Sequence, residues 1–321
     1  MPRVSVIIPT YNRAKIVTEA IKSVLVQTER DLEVIVIDDG STDDTGRIVT
    51  GIKDDRITYY HKKNGGAASA RNLGLAKAGG DFIAFLDSDD AWPENYLEVM
   101  LASLQRKQNV DIVYSPITLV YPDGRQRRSY KAAKGHCGKI TSALFQSSSV
   151  WPFATLSRAA AWKDFFFDEN CRVSEDSDAL LRMSLHAEFG FVPDVEAFHR
   201  ISEDSLSSNT GVVCTRLLTL ERFYFRLGGK NVVPWHTALR KLSHSCRAVA
   251  KDFAKKHERS AALKLYARAI KYWPFDLRLY GGYAKVAFFD KAADRKPDWQ
   301  MPQLLGEPLG THRFLREQAA P

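Results

Sequence analysis

Along the first ninety residues, short apolar runs alternate with stretches whose apolar residues recur every three or four positions. Val4-Ser5-Val6-Ile7-Ile8-Pro9 predicts a buried first strand stopped by proline. Residues 14–27 carry Ile16, Ala20, Ile21, Val24 and Leu25 at helical spacing. Glu33 to Ile37 predicts a second strand with a turn over Asp38 to Ser41, and Thr42 or Asp43 can cap a helix running to about Ile52. Ile57 to Tyr60 predicts a third strand. Asn64-Gly65-Gly66 then turns into a helix bearing Ala70, Leu73 and Ala76, broken at Gly79-Gly80, and Asp81 to Leu86 forms a fourth strand. Strands separated by helices of this length imply a doubly wound, mostly parallel α/β sheet, whose ligands sit beyond the carboxyl ends of the strands.

Farther along, Pro93 to Lys107 predicts a helix with proline in its first turn. Asp111 to Val120 predicts one strand, and the turn Tyr121-Pro122-Asp123-Gly124 leads into a basic return strand. Residues 135–157 give no clear pattern. Ser174 to His186 predicts a helix capped by Ser174, with Glu175 and Asp176 in its first turn and Leu180, Leu181 and Leu185 on its apolar side. From Thr215 the pattern is helical: 215–227, 237–257, and a pair over 259–290 broken at Trp273-Pro274. The expected division is therefore an α/β domain over 1–214, a basic helical region over 215–300 and a flexible tail over 301–321.

Charge sharpens that division. Residues 215–321 hold 21 Lys and Arg against 9 Asp and Glu, whereas residues 1–214 hold 25 against 29. Solvated amphipathic helices are the default reading of the basic part. Arg240, Lys241, Arg247, Lys251, Lys255 and Lys256 beside apolar residues also raise peripheral binding to an anionic membrane surface. No nucleic-acid-binding motif accompanies the charge. A composition of 45% hydrophobic and 26% charged residues fits a folded soluble chain rather than a disordered one. The four cysteines lack metal or redox spacing, the amino terminus enters a strand without a leader-like segment, and no apolar run is long enough to span a bilayer. These features lead to the expectation of a cytoplasmic protein with reduced thiols, peripheral at most to the inner face of the cell membrane.

The chemistry concentrates at strand ends. Asp38 and Asp39 follow the second strand, and Asp87-Ser88-Asp89-Asp90 follow the fourth. Neighbouring carboxylates repel and favour protonation, and a hard divalent cation such as Mn2+ or Mg2+ relieves that repulsion. Solvated turns with helix-capping aspartates account for either site alone, less well for both.

Five segments in order resemble the family 2 glycosyltransferases: Val4 to Arg13, Val36 to Asp43, Asn64-Gly65-Gly66 with Ala70-Arg71-Asn72, Phe85 to Asp90, and Phe167-Asp168-Glu169 with Glu175 to Arg182. The resemblance implies the GT-A fold, Rossmann-like, with a helical C-terminal extension here. It also implies an inverting transfer from a nucleoside-diphosphate sugar, UDP favoured, to a saccharide or lipid-linked hydroxyl acceptor in polysaccharide, lipopolysaccharide or glycolipid synthesis. By resemblance, Pro9, Thr10, Tyr11 and Asp39 belong to the nucleoside pocket, with Asp38 as neighbouring support or an alternative contact. Asp87-Ser88-Asp89 is similar to the family's Asp-x-Asp motif, with Asp89 on the metal and Asp87 on ribose or a metal-bound water. Arg71 would face the diphosphate or the sugar. Asp176 would be the general base, with Glu175 its competitor and Asp178 a helix-surface or cap group. Asp90 is either a cap before Trp92-Pro93 or a catalytic group. The family histidine before Ser-Leu-Ser aligns with Ser202, which leaves His199 and Arg200 as outlying metal or diphosphate contacts, with a structural role the preferred reading of His199. Phe165-Phe166 replaces the usual Gly-Gly and hints at a bulky acceptor wall near Trp151 and Trp162, although core packing explains those rings equally well. Two other functions stand beside this one: a sugar nucleotidyltransferase, which would need a basic glycine-rich loop where Pro9 to Arg13 stand, and a non-catalytic sugar-nucleotide-binding or scaffold protein.

Overall fold

The computed structural model describes residues 2–129, 135–147, 150–171, 173–201 and 210–289. Two compact units divide the chain, Met1–Ser205 and Leu206–Pro321. In the first, β1 (Val4–Thr10), α1 (Val17–Leu25), β2 (Leu32–Asp38), α2 (Thr45–Gly51), β3 (Ile57–His61), α3 (Ala67–Lys77), β4 (Phe82–Phe85) and α4 (Tyr96–Arg106) follow the predicted alternation. Then come β5 (Ile112–Tyr114), β6 (Ile117–Val120), β7 (Gln126–Arg128), α5 (Thr141–Gln146), β8 (Thr155–Arg158), α6 (Glu175–Met183), β9 (Phe189–Phe191) and β10 (Ala197–Arg200).

The main sheet has the order β3-β2-β1-β4-β8-β5-β9, and among these strands β8 alone runs against the rest. Alternation along β1 sends Val4, Val6 and Ile8 to a core shared with α1 and α4, while Ile7 meets Ala68, Phe85, Phe167 and Ala179 on the other face. Both faces are thus covered, which is why these strands read as continuous apolar runs. The close approach of α3 to β1 requires Gly74, where an added Cβ would lie 2.3 Å from Ile7 Cγ2.

Two expectations change here. The single strand over Asp111 to Val120 is two strands in different sheets: β5 lies in the main sheet, and β6 pairs with β7 and β10 in a second sheet. The break falls at Ser115-Pro116, where proline removes a ladder donor; Ser115 Oγ, buried, contacts the Tyr96 hydroxyl at 3.1 Å. The patternless segment 135–157 contains α5 and the start of β8, a strand buried between β4 and β5. Four residues bounded by turns are too short for periodicity to reveal.

The second unit contains α7 (Thr210–Arg226), α8 (Trp235–Lys255), α9 (Arg259–Tyr272) and α10 (Leu277–Ala284), the last continued by a wider π turn over Lys285–Phe289. Its first helix starts before the expected Thr215, and the unit itself begins at Leu206. The apolar stripe of α8, Ala238, Leu242, Cys246, Val249 and Phe253, is buried. Residues 301–321, expected to be a flexible tail, lie outside the described residues, as do Ser202 and the Ser205-Leu206-Ser207 segment.

Candidate functional site

Because β2, β1 and β4 are adjacent and parallel, their carboxyl ends place Asp38-Asp39, Thr10-Tyr11 and the Asp87–Asp90 turn along one edge. The strand order reverses between β1 and β4, where open α/β sheets form their ligand crevice.

At the β2 end, Asp38 is committed to structure. It is buried, its Oδ1 accepts from Ser41 N at 2.7 Å, and its Oδ2 accepts from the Tyr59 hydroxyl at 2.6 Å. Burial, with the Asp38 contact, pushes the Tyr59 hydroxyl's pKa up. Asp39 Oδ1 accepts from Lys62 Nζ at 2.7 Å and Gly65 N at 2.9 Å, and its Oδ2 from Gly66 N at 2.7 Å. The Gly65-Gly66 turn therefore wraps this carboxylate. Gly66, with φ of 90°, adopts a conformation costly for other residues. Asp39 N in turn donates to Thr10 O at 2.9 Å, which joins the two strand ends. Pro9 is half-buried in β1, the buried Thr10 hydroxyl has no hydrogen-bond partner, and Tyr11 is exposed at the rim. Asn12 fixes that rim: its N donates to Ser41 Oγ and its Oδ1 accepts from Thr42 N, both at 2.8 Å.

At the β4 end, Arg71 is buried and bridges two acids: Nη2 meets Asp87 Oδ1 at 2.8 Å and Nη1 meets Glu175 Oε1 at 2.7 Å. Phe167 lies under its guanidinium, 5.5 Å from ring centroid to carbon. Asn72, next along α3, clamps the backbone of Phe167 by accepting from its N and donating to its O, both at 2.9 Å. The sequence alone assigns Asn72 no role; its side-chain amide is a two-way clamp only once α3 meets the Phe167 loop.

Ser88 is buried. Asp89 is partly exposed, with Arg13 Nη2 3.5 Å away. Burial and then the Asp87 carboxylate push its pKa up, against the pull of Arg13. Asp90 is fully buried and caps no helix, since α4 starts at Tyr96 after Asn95. Instead its Oδ1 contacts His199 Nδ1 at 2.9 Å and accepts from Arg200 N at 3.2 Å, while its Oδ2 has no partner. Burial raises the Asp90 pKa to about 7, although His199 opposes the rise. His199 is brought in by β10, whose Phe198 exchanges backbone hydrogen bonds with Ala91 at 2.9 and 3.1 Å. Burial alone would lower its pKa, but Asp90, Asp89 and Asp87 raise it. His199 thus stands within the acidic cluster rather than apart from it, and Arg200 reaches Glu19 through its side chain.

The first turn of α6 supplies Glu175, Asp176 and Asp178. Glu175 is held by Arg71, and burial raises its pKa despite that cation. Asp176 is partly exposed, with Oδ1 accepting from Ser177 N at 2.6 Å and its second oxygen in no described hydrogen bond. Asp178 is not a surface group: it is buried and paired with Arg182 Nε at 2.7 Å. Ser174 holds the cap position but in a left-handed conformation, φ 67°, and its buried hydroxyl makes no cap bond. Trp162 packs on Phe85 and Phe167, whereas Phe166 is exposed.

Among the described residues, no three His, Cys, Asp or Glu side chains converge as a metal cage. Asp87 and Asp89 nevertheless fit a hard divalent ion: they are oxygen donors, each unfavourable to the other's charge, and the ion would need further oxygens from a bound ligand. Chemically, the edge offers a row of carboxylates, a buried guanidinium joining it to α6, and a partly exposed carboxylate beyond.

Residues 5–173 match the family described as Glycosyl transferase family 2. An uncharacterized glycosyltransferase of Rickettsia bellii is 39% identical over 175 residues, 54% of this chain and 25% of that protein. The minor teichoic acid biosynthesis protein GgaB of Bacillus subtilis is 32% identical over 213 residues, 64% of this chain and 23% of that protein. The chain thus spans about a quarter of the length of these curated relatives. S. aureus TarS residues 1–349, crystallised with UDP-GlcNAc, superposes with a TM-score of 0.58 at 22% identity, covering 88% of this chain and 90% of that one.

Proposed function

This chain belongs to glycosyl transferase family 2, and we propose that it moves a sugar, with inversion, from a UDP-sugar to a hydroxyl of a saccharide or lipid-linked acceptor in the synthesis of a cell-surface glycopolymer. The observation that carries this reading is the Arg71 bridge. One buried guanidinium reaches both Asp87, in the turn after β4, and Glu175, beside Asp176 at the start of α6. Donor-side and acceptor-side carboxylates therefore share a single anchor. The UDP-GlcNAc complex of TarS and the teichoic acid role in the name of GgaB support a UDP-sugar donor and a polymer acceptor.

In this reading Asp39 accepts from the base, Tyr11 offers an aromatic face at the open rim, and the Thr10 hydroxyl is a free polar group for the nucleoside. Asp89, and Asp87 through water, would hold Mn2+ or Mg2+, which when bound offsets charge on the departing diphosphate. Arg71 keeps Asp87 oriented and adds positive charge on the same side. Asp176 removes the acceptor hydroxyl proton as that oxygen bonds to the anomeric carbon; the bond to the nucleoside diphosphate breaks, and its electron pair leaves with the phosphate oxygen. Glu175 is the poorer base because Arg71 already occupies it. Asp90 with His199 supports the turn from behind.

A thermal-shift panel of UDP-, GDP- and dTDP-sugars, with and without manganese, tests the reading. A UDP-sugar is expected to raise the melting temperature most, and more so with metal. No shift with any nucleotide in the presence of metal overturns it.

A further inference from the structure

Helix α10 breaks the usual one-sided pattern. Leu279, Gly282 and Val286 face inward, and a Cβ at Gly282 would lie 2.5 Å from the Tyr266 ring of α9. The opposite side is also apolar: Leu277 is 80% and Phe288 76% exposed. The ridge continues past the helix start, where Phe275 (78% exposed) lies 5.5 Å from Trp273 and Trp273 lies 6.4 Å from Trp235 (64% exposed), centroid to centroid. Soluble surfaces scatter such side chains singly, and a contiguous exposed run marks contact with an apolar partner.

We propose that the ridge Trp235–Trp273–Phe275–Leu277, with the outer face of α10, seats this unit in the interface of an anionic lipid bilayer. Cations border the ridge, and among the described residues its acid, Asp276, is neutralised. Asp276 is taken by Arg278, which holds both carboxylate oxygens at 2.7 and 2.9 Å. His244 has its pKa lowered by partial burial and then by Arg247 and Lys241 of α8 and Arg278 of α10. Aromatic side chains beside Lys and Arg suit the headgroup boundary, where rings enter and charges stay at phosphate level. Lys241, Arg247 and Arg278 thus supply attraction, and the aromatic ridge supplies insertion. Among the described residues no helix is long and apolar enough to cross a membrane, so the contact is one of lying on the surface.

The test is flotation of the full chain with phosphatidylglycerol-containing vesicles and with pure phosphatidylcholine vesicles. The chain is expected to float with the anionic vesicles, less with the neutral ones, and less again as salt is raised. The triple variant Trp235→Ser, Phe275→Ser, Leu277→Ser is expected to weaken flotation at least about tenfold. Val26→Ser, an exposed apolar change in the other unit, is expected to leave it intact. Circular dichroism checks that the triple variant keeps its helices. Tryptophan emission is expected to shift blue on binding and to be quenched by brominated lipid. A parent chain that does not float with anionic vesicles overturns the proposal, as does a folded triple variant that floats equally well. A dimer in sedimentation that the triple variant dissociates, without vesicle binding, gives the face to a second copy instead.

Discussion

His199 Nδ1 lies 2.9 Å from Oδ1 of the fully buried Asp90, across 109 positions of sequence. The contact ties β10 of the second sheet to the acidic turn after β4. Phe153 stacks on the imidazole at 5.4 Å and fixes its plane. The turn is thereby held from its buried side, while Asp87 and Asp89 remain partly exposed.

This pair makes stability pH-dependent. Both groups bind protons more tightly folded than unfolded. Asp90 and His199 titrate as one pair: the stabilisation from the Asp90 proton, raised from 3.8 to about 7, is complete below pH 3.8 and gone above about 7, and the Asp90 carboxylate in turn raises His199. The difference in urea midpoint between the parent and Asp90→Asn, both with chelator, is expected to move against the parent as pH rises from 5 to about 8. A difference moving the other way contradicts the assignment.

Removing the Arg71 guanidinium strands two acids, of which Glu175 is nearly buried. Arg71→Ala is expected to cost about 3–5 kcal/mol in denaturant unfolding and to abolish nucleotide-induced stabilisation. Arg71→Lys keeps the charge but cannot reach both carboxylates in one plane, so it is expected to recover part of the stability and little of the binding.

Asp176→Asn removes the proposed base and leaves its size. Transfer is expected to fall by at least about a hundredfold, with UDP binding measured by calorimetry nearly unchanged. Loss of UDP binding instead would place Asp176 on the donor side.

The helix α3 tests packing alone. Alanine at position 74 gains up to about 1 kcal/mol of helix propensity, but its Cβ meets Ile7 Cγ2 at 2.3 Å. Gly74→Ala is expected to destabilise by about 1–3 kcal/mol, and adding Ile7→Ala to restore part of the loss relative to Ile7→Ala alone. Additive effects would mean that the helix shifts instead.

Much of the strand and helix order was legible because it depends on local periodicity. Runs such as Val4 to Ile8 and Glu33 to Ile37 are apolar on both faces, and a chain can bury such runs in few ways. The acidic strand ends lie at the carboxyl ends of runs that read as strands, and parallel pairing of β1 with β2 sets Thr10 beside Asp38. The division of labour among these acids was not legible. Nothing local distinguishes Asp38 from Asp39, yet one is spent on Ser41 and Tyr59 while the other holds the Gly65-Gly66 turn. Asp90 reads equally as a cap before Trp92-Pro93 or as a catalytic group, and only β10 turns it into a partner for His199. Likewise β8 is invisible in its four residues because its strand character comes from β4 and β5 on either side. The residues by themselves determined which elements form and where the carboxylates collect, since both follow from local spacing and burial. Tertiary structure decided which carboxylate is paired, buried or free, because charge in a fold is set by neighbours brought from a hundred positions away.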